Sequence, residues 1–236
     1  MAIRRALVAY TDHPQHGPLP AILLLMTLGT GMVDAVSILG LGRVFVANMT
    51  GNIVFIGFAL ARAPGFSLWG SVIALVAFLV GASVGGLLVA RSTAHRGKLL
   101  RSALALQVVL AVVALAAALL PLRAVAPAVV LAALALALGI QNAVVRHLAV
   151  PDMTTTVLTM TLTGIAADLR KRDLPTAARR SAAVLCMLVG AVVGALLVVH
   201  LGVGAGVTAV LVVSAAALAG AVVAARDDRA WTSARS

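Results

Sequence analysis

Leu79 to Ala90 reads LVGASVGGLLVA, and Leu188 to Val199 reads LVGAVVGALLVV. Nine of the twelve positions are identical, and Gly81 and Gly85 fall in register with Gly190 and Gly194. Working outward at this spacing of about 108 residues, Gly31-Met32-Val33-Asp34-Ala35-Val36 pairs with Gly139-Ile140-Gln141-Asn142-Ala143-Val144. With a shift of one residue, the Asn/Thr stretch after Asn48 pairs with the Thr stretch after Thr156. The order of features is therefore the same twice over: a span bearing Gly and Asp or Asn, a polar segment, a Gly-x-x-x-Gly span, and a plain apolar span. The chain reads as a single membrane domain, 1–236, built of two related halves, 19–122 and 124–225.

Composition sets the solvent. Of the 236 residues, 62% are hydrophobic and 11% charged, with a mean hydropathy of +1.13. A soluble domain carries roughly 25% charged residues, so the lipid bilayer is the expected surrounding. Eight apolar segments follow one another: Leu19–Gly42, Val44–Ala61, Leu68–Ala90, Leu99–Leu122, Ala124–Val145, Met153–Leu169, Ser181–Leu201 and Val203–Ala225. Pro64-Gly65, Pro121, Pro151-Asp152, Pro175 and Gly202 separate several of them. The first segment is too long for a signal-peptide core and reads as a retained span.

Two segments are short for a crossing of about 20 residues and unusually polar. The second carries Asn48, Thr50, Gly51 and Asn52, and the sixth carries Thr154, Thr155, Thr156, Thr159, Thr161 and Thr163. Charge placement chooses between crossing and re-entry. If neither crosses and the N-terminus is cytoplasmic, only Arg43, Arg62 and Arg123 of the 18 Lys and Arg residues fall outside, a split of fifteen to three. If all eight cross, the cluster Arg91 to Arg101 moves outside and the split becomes twelve to six. The positive-inside rule favours the first arrangement. The expected fold is an all-α integral membrane bundle of six helices with two short polar, re-entrant segments, eight spans being the alternative, and with both termini cytoplasmic. Three crossings in each half, an odd number, make the repeat an inverted one, as in many secondary transporters.

The polar residues at membrane depth are the candidates for chemistry. Asp34 is the acidic residue well inside an apolar span, where a carboxylate costs roughly 2.5–3.5 kcal/mol unless it meets protein or water. It is a candidate coupling group for a proton or cation, and equally a candidate for interhelix hydrogen bonding. Gln141 and Asn142 are its amide counterparts in the second half. Asn48, Thr50, Asn52 and Thr159 add oxygens able to replace a solute's hydration, and Gly51 lets a helix start or unwind there. Gly81, Gly85, Gly190 and Gly194 permit close helix approach, between the halves or at a homodimer seam. Arg146 and His147 end the fifth segment, as interfacial anchors or as attraction for an anionic solute. Helix capping and loop salt bridges suffice for Asp152 and Asp168.

The charge of +11 lies in short clusters between apolar runs, which excludes a basic face reading phosphates; no nucleic-acid partner is expected. Cys186 stands alone and no Cys/His spacing suits a metal, so no metal and no cofactor is expected. The H-E-x-x-H, G-x-S-x-G and Walker-type patterns are missing, and nothing else in the sequence points to an enzyme.

Gly31 to Ser37, followed by Gly40 to Arg43 and Val44-Phe45-Val46-Ala47-Asn48-Met49-Thr50-Gly51-Asn52, resembles the YoaK family, as does Gly139-Ile140-Gln141-Asn142-Ala143 with the Thr-rich run to Thr163-Gly164. The resemblance covers nearly the whole chain. It implies a bacterial inner-membrane protein of about six helices, and it supplies no substrate. The expected function is movement of a small solute or ion, by proton- or ion-coupled secondary transport. The alternatives are a passive channel and a non-transporting scaffold or assembly protein.

Overall fold

A computed structural model describes residues 16–92, 95–120, 125–151, 153, 155–156, 158–225 and 230–232. The expectations resting on Arg4, Arg5, Pro121, Arg123, Asp152, Thr154, Arg226, Arg229 and Arg235 lie outside these residues. Eight helices are described: α1 Leu19–Gly40, α2 Met49–Leu60, α3 Leu68–Arg91, α4 Arg96–Leu119, α5 Ala126–Leu148, α6 Leu158–Lys171, α7 Leu174–Leu201 and α8 Val203–Ala224, with a short 3₁₀ turn at Ala230–Thr232.

Six of these are long and apolar enough to cross a bilayer. The helices α2 and α6, of 12 and 14 residues, reach only about 18 and 21 Å at 1.5 Å per residue, short of a hydrocarbon core of about 30 Å. The described residues therefore hold six candidate spans, three in each half.

Local chemistry sets the helix starts. Side chains of Asn48, Ser67, His95 and Asp173 each accept a hydrogen bond from the backbone N–H three residues on, which satisfies a donor that has no partner within its helix. Pro175 was expected to separate segments; instead it lies in the first turn of α7, which begins at Leu174 rather than Ser181. A first-turn proline loses no helical hydrogen bond, and Asp173 supplies the cap.

The packing repeats in the two halves. The helix α3 of the first half lies along α5 of the second, and α7 of the second lies along α1 of the first. The glycine pairs make both contacts. A Cβ added at Gly81 would overlap the Leu136 carbonyl, and one at Gly190 would overlap the Leu28 carbonyl. One turn on, Gly85 faces Ala143 and Ile140, and Gly194 faces Met32 and Ala35. The opposing glycines are just as close: Gly139 lies under the Phe78 carbonyl and Gly31 under that of Met187. The four glycines of the sequence motif thus sit between the halves, and their motif is used inside the chain. Between the two pairs, α4 lies against α8 and α5, and α8 against α1.

Burial follows the layout. The most apolar stretches of α1 and α5 are each 67% buried, against 22% for α3 and 17% for α7. The inner helices α1 and α5 therefore carry the core, including Leu23, Val33, Val36, Leu134, Leu138 and Ile140. The outer pair present Leu79, Val80 and Leu87, and their counterparts Leu188, Val189 and Leu196, to the outside. Exposed leucine is ordinary where the solvent is lipid.

Candidate functional site

Behind α1 the chain turns back on itself through two left-handed residues, Gly42 and Arg43, at φ 97° and 58°. Val44, Val46 and Ala47 are then buried although they belong to no helix. Their N–H groups cannot be left bare at membrane depth. The Asp34 carboxylate accepts from Val46 N–H at 3.3 Å and from Ala47 N–H at 3.2 Å. Fully buried Asn52 brackets Phe45, its Oδ1 accepting from Phe45 N–H at 3.0 Å and its Nδ2 donating to the Phe45 carbonyl at 2.7 Å. Asp34 lies six residues before Gly40, the end of α1, so the segment re-enters by about 9 Å. At Asn48 it becomes helix α2. Gly51 is required there, because a Cβ would stand 2.7 Å from the Phe45 ring.

The second half repeats this arrangement from the other end of the bundle. The chain leaves α5 through left-handed Ala149, at φ 45°, and returns by buried Met153, Thr155 and Thr156 to the start of α6 at Leu158. Thr156 donates to Asn142 Oδ1 at 3.2 Å. Asn142 lies six residues before Leu148, the end of α5. The far end of α6 is held by the ion pair of Asp168 with Arg180 on α7, at 2.9 Å, a salt bridge of the kind expected for Asp168.

Beside this second segment is a buried polar knot. Gln107 on α4 donates from Nε2 to Gln141 Oε1 at 2.9 Å; Gln141 Nε2 donates to Thr30 Oγ1 on α1 at 3.1 Å and to Thr155 Oγ1 at 3.0 Å. Four elements are tied through one amide. Gln107 and Thr30 are not among the candidates the sequence offers above, although a lone glutamine in the middle of an apolar span is a visible signal.

The two re-entrant segments meet at a cavity of about 500 Å³. Its wall includes Asn48, Met49, Thr50 and Gly51 from the start of α2, Thr156, Leu158 and Thr159 from the start of α6, and Asn142 and Phe78 from α5 and α3. Both short helices thus point their N-terminal ends, where N–H groups lack helical acceptors, toward one space. A second cavity, about 630 Å³, continues between α3 and α5 past Ala82 and Gly86 to Arg146 and His147. A third, about 280 Å³, runs past Arg146, Met153 and Thr155. Asn142 lines all three.

Of the seven candidate binding residues, Asn48, Thr50, Asn142 and Thr159 line the first cavity. Asp34, Asn52 and Gln141 stand behind its wall, holding the segments that form it.

The chain belongs to the family described as "Protein of unknown function (DUF1275)", which it matches over residues 22–224. It is 32% identical over 186 residues to the UPF0700 transmembrane protein YoaK of Bacillus subtilis (strain 168), a match that covers 74% of this chain and 82% of that protein. No solved structure matches the chain.

Proposed function

We propose that this multi-pass membrane protein is a secondary transporter of a small solute or ion, with the cavity between its two re-entrant segments as the binding site. The observation that carries this reading is the convergence of two short helices, one from each half of an inverted repeat, on one polar space. A scaffold needs its buried polar groups satisfied, as Asn52 and Gln141 are, but it has no need of Asn48, Thr50, Asn142 and Thr159 around a 500 Å³ cavity. Two similar halves also have two equivalent arrangements, which is the requirement of alternating access.

Asp34 gives such a cycle a coupling group. Ionised, it is a charged acceptor for two N–H groups of the first re-entrant segment. Protonation weakens both bonds and loosens the wall in front of them, so proton uptake and wall movement are linked. The reading is non-enzymatic. It takes the membrane as the bacterial inner membrane and, by the positive-inside rule, sets both termini and the Arg146 end of α5 on the cytoplasmic side.

Flux of solute and internal pH, followed together in proteoliposomes of the wild type and of Asp34→Asn, test the proposal. Solute-driven pH change that is lost in Asp34→Asn supports it. Unaltered proton-coupled flux in the mutant removes Asp34 from the mechanism, flux with no coupling in either protein favours a passive channel, and no flux in either favours a scaffold.

A further inference from the structure

Three cavities meet at Asn142, and Arg146 lines two of them. Four residues apart on α5, these side chains share one helix face. Among the described residues, those that line the three cavities include this arginine and His147, and no aspartate or glutamate. Among the described residues the Arg146 guanidinium has no carboxylate partner. Thr156 donates to Asn142 Oδ1, which leaves the Nδ2 hydrogens of Asn142 to donate elsewhere. We propose that the solute is a small anion, a carboxylate or an inorganic oxyanion, held by Arg146 and Asn142. Asn142 belongs to the transport cavity and Arg146 to the two that adjoin it there; the proposal names the substrate class of that site and rests on that reading.

The comparison of the halves carries the inference further. At the repeat spacing, Asn142 corresponds to Asp34 and Arg146 to Ile38. Where the first half has a carboxylate and an aliphatic residue, the second has an amide and a cation. A site for cations gains nothing from replacing its acid with an amide and adding an arginine one turn away. A site for anions gains both a charge and a planar set of donors suited to paired oxygens. The last turn of a helix favours a basic residue on electrostatic grounds alone, but that preference does not explain why the residue lines two cavities with Asn142. The two halves thus divide the work: the proton-titratable group lies on the first and the anion-binding pair on the second. The cavities, about 500 and 630 Å³, are in the range that small ligands occupy.

The test is thermal unfolding of the purified chain in a neutral detergent, titrated with the potassium salts of acetate, lactate, succinate, nitrate and phosphate. Chloride at matched ionic strength, choline and glucose serve as references. The proteins are wild type, Arg146→Lys, Arg146→Gln, Asn142→Ala and, as a control away from the cavities, Arg101→Gln. A ligand that binds the folded state raises Tm along a saturable curve. The expected result is such a curve for at least one of the five anions. Its midpoint rises about tenfold or more in Arg146→Gln, less in Arg146→Lys and Asn142→Ala, and stays unchanged in Arg101→Gln. A shift that is equal in wild type and Arg146→Gln, a shift confined to choline or glucose, or no shift with any of the five salts overturns the proposal.

A second arm separates a free anion from a lipid headgroup, by comparing nanodiscs of phosphatidylcholine with nanodiscs containing phosphatidylglycerol. Stabilisation by phosphatidylglycerol through Arg146, with none from the salts, assigns the arginine to lipid and overturns the proposal. Flux in proteoliposomes distinguishes its failure from that of the transport reading. Saturable Arg146-dependent binding without flux keeps the anion site and ends transport, whereas cation or sugar flux indifferent to Arg146→Gln keeps transport and ends the anion site.

Discussion

Asp34 and Asn142 stand 108 residues apart (142 − 34) and hold the same station in the two halves of the bundle. Each lies six residues before its helix end, Gly40 or Leu148, and each accepts from the segment that folds back behind it, Asp34 two hydrogen bonds and Asn142 one. Asp34 takes two backbone N–H groups, of Val46 and Ala47, so a side-chain oxygen on the helix just traversed replaces a missing backbone acceptor. Asn142 takes the Thr156 hydroxyl and ties its segment through a side chain.

Removing that oxygen should loosen the first re-entrant segment. Asp34→Ala strands the Val46 and Ala47 N–H groups and should cost about 1–3 kcal/mol, while Asp34→Asn keeps a neutral acceptor and should cost less. Thermal unfolding in detergent measures both, and labelling of a cysteine at Val46 in a Cys186→Ala background reports exposure of the segment. If Asp34→Ala is as stable and as well protected as wild type, the carboxylate does not hold the segment.

The glycine contacts between the halves should be intolerant of side chains. Gly81→Leu and Gly190→Leu would force a side chain into the Leu136 and Leu28 carbonyls, and each should cost about 3 kcal/mol or prevent folding. Gly57 in α2, with nothing near its Cβ position, is the control: Gly57→Ala should fall within about 0.5 kcal/mol of wild type or slightly above it. Equal stability of all three variants would show that the halves do not meet through these glycines.

The amide knot should behave as a unit. Gln141→Leu leaves the Gln107 Nε2 without its acceptor in a buried place and should cost about 1–3 kcal/mol. Adding Gln107→Leu removes the stranded group, so the double variant should be more stable than the sum of the two single losses. Strict additivity in a double-mutant cycle would mean that the two amides do not interact.

Filling the central cavity should stop transport without unfolding the protein. Thr159 is exposed on the cavity wall, so Thr159→Trp has room to enter the cavity and should abolish flux with little change in Tm. Wild-type flux in Thr159→Trp would move the pathway away from this space.

One pH effect is expected outside the membrane. Asp173 caps α7, and the hydrogen bonds it receives from Thr176 lower its pKa from the ordinary carboxylate value. A depressed folded-state pKa adds stability that is present above the unfolded value and is lost as pH falls through the folded one. Because Asp173 is fully exposed, the effect should be small. Asp173→Asn retains the cap and should flatten the acid end of the Tm–pH curve; an unchanged curve would rule Asp173 out as its source.

The sequence alone determined the solvent and the repeat and favoured six spans over eight, because lipid imposes long apolar runs and places arginines at their ends; the short lengths of α2 and α6 then chose six. It also marked the four glycines and the polar residues around Asp34, Asn48 and Asn142, since each is out of place in an oily helix. Only the tertiary structure decided which of those residues face an open space. Thr50 and Asn52 are two residues apart, yet Thr50 lines the cavity and Asn52 closes the turn around Phe45. Gln141 and Asn142 are adjacent, yet one is locked in a knot with Gln107 and the other borders three cavities. The direction in which a side chain points depends on helix rotation, and rotation is set by which glycine meets which carbonyl across the two halves, a contact between residues as far apart in sequence as Gly190 and Leu28.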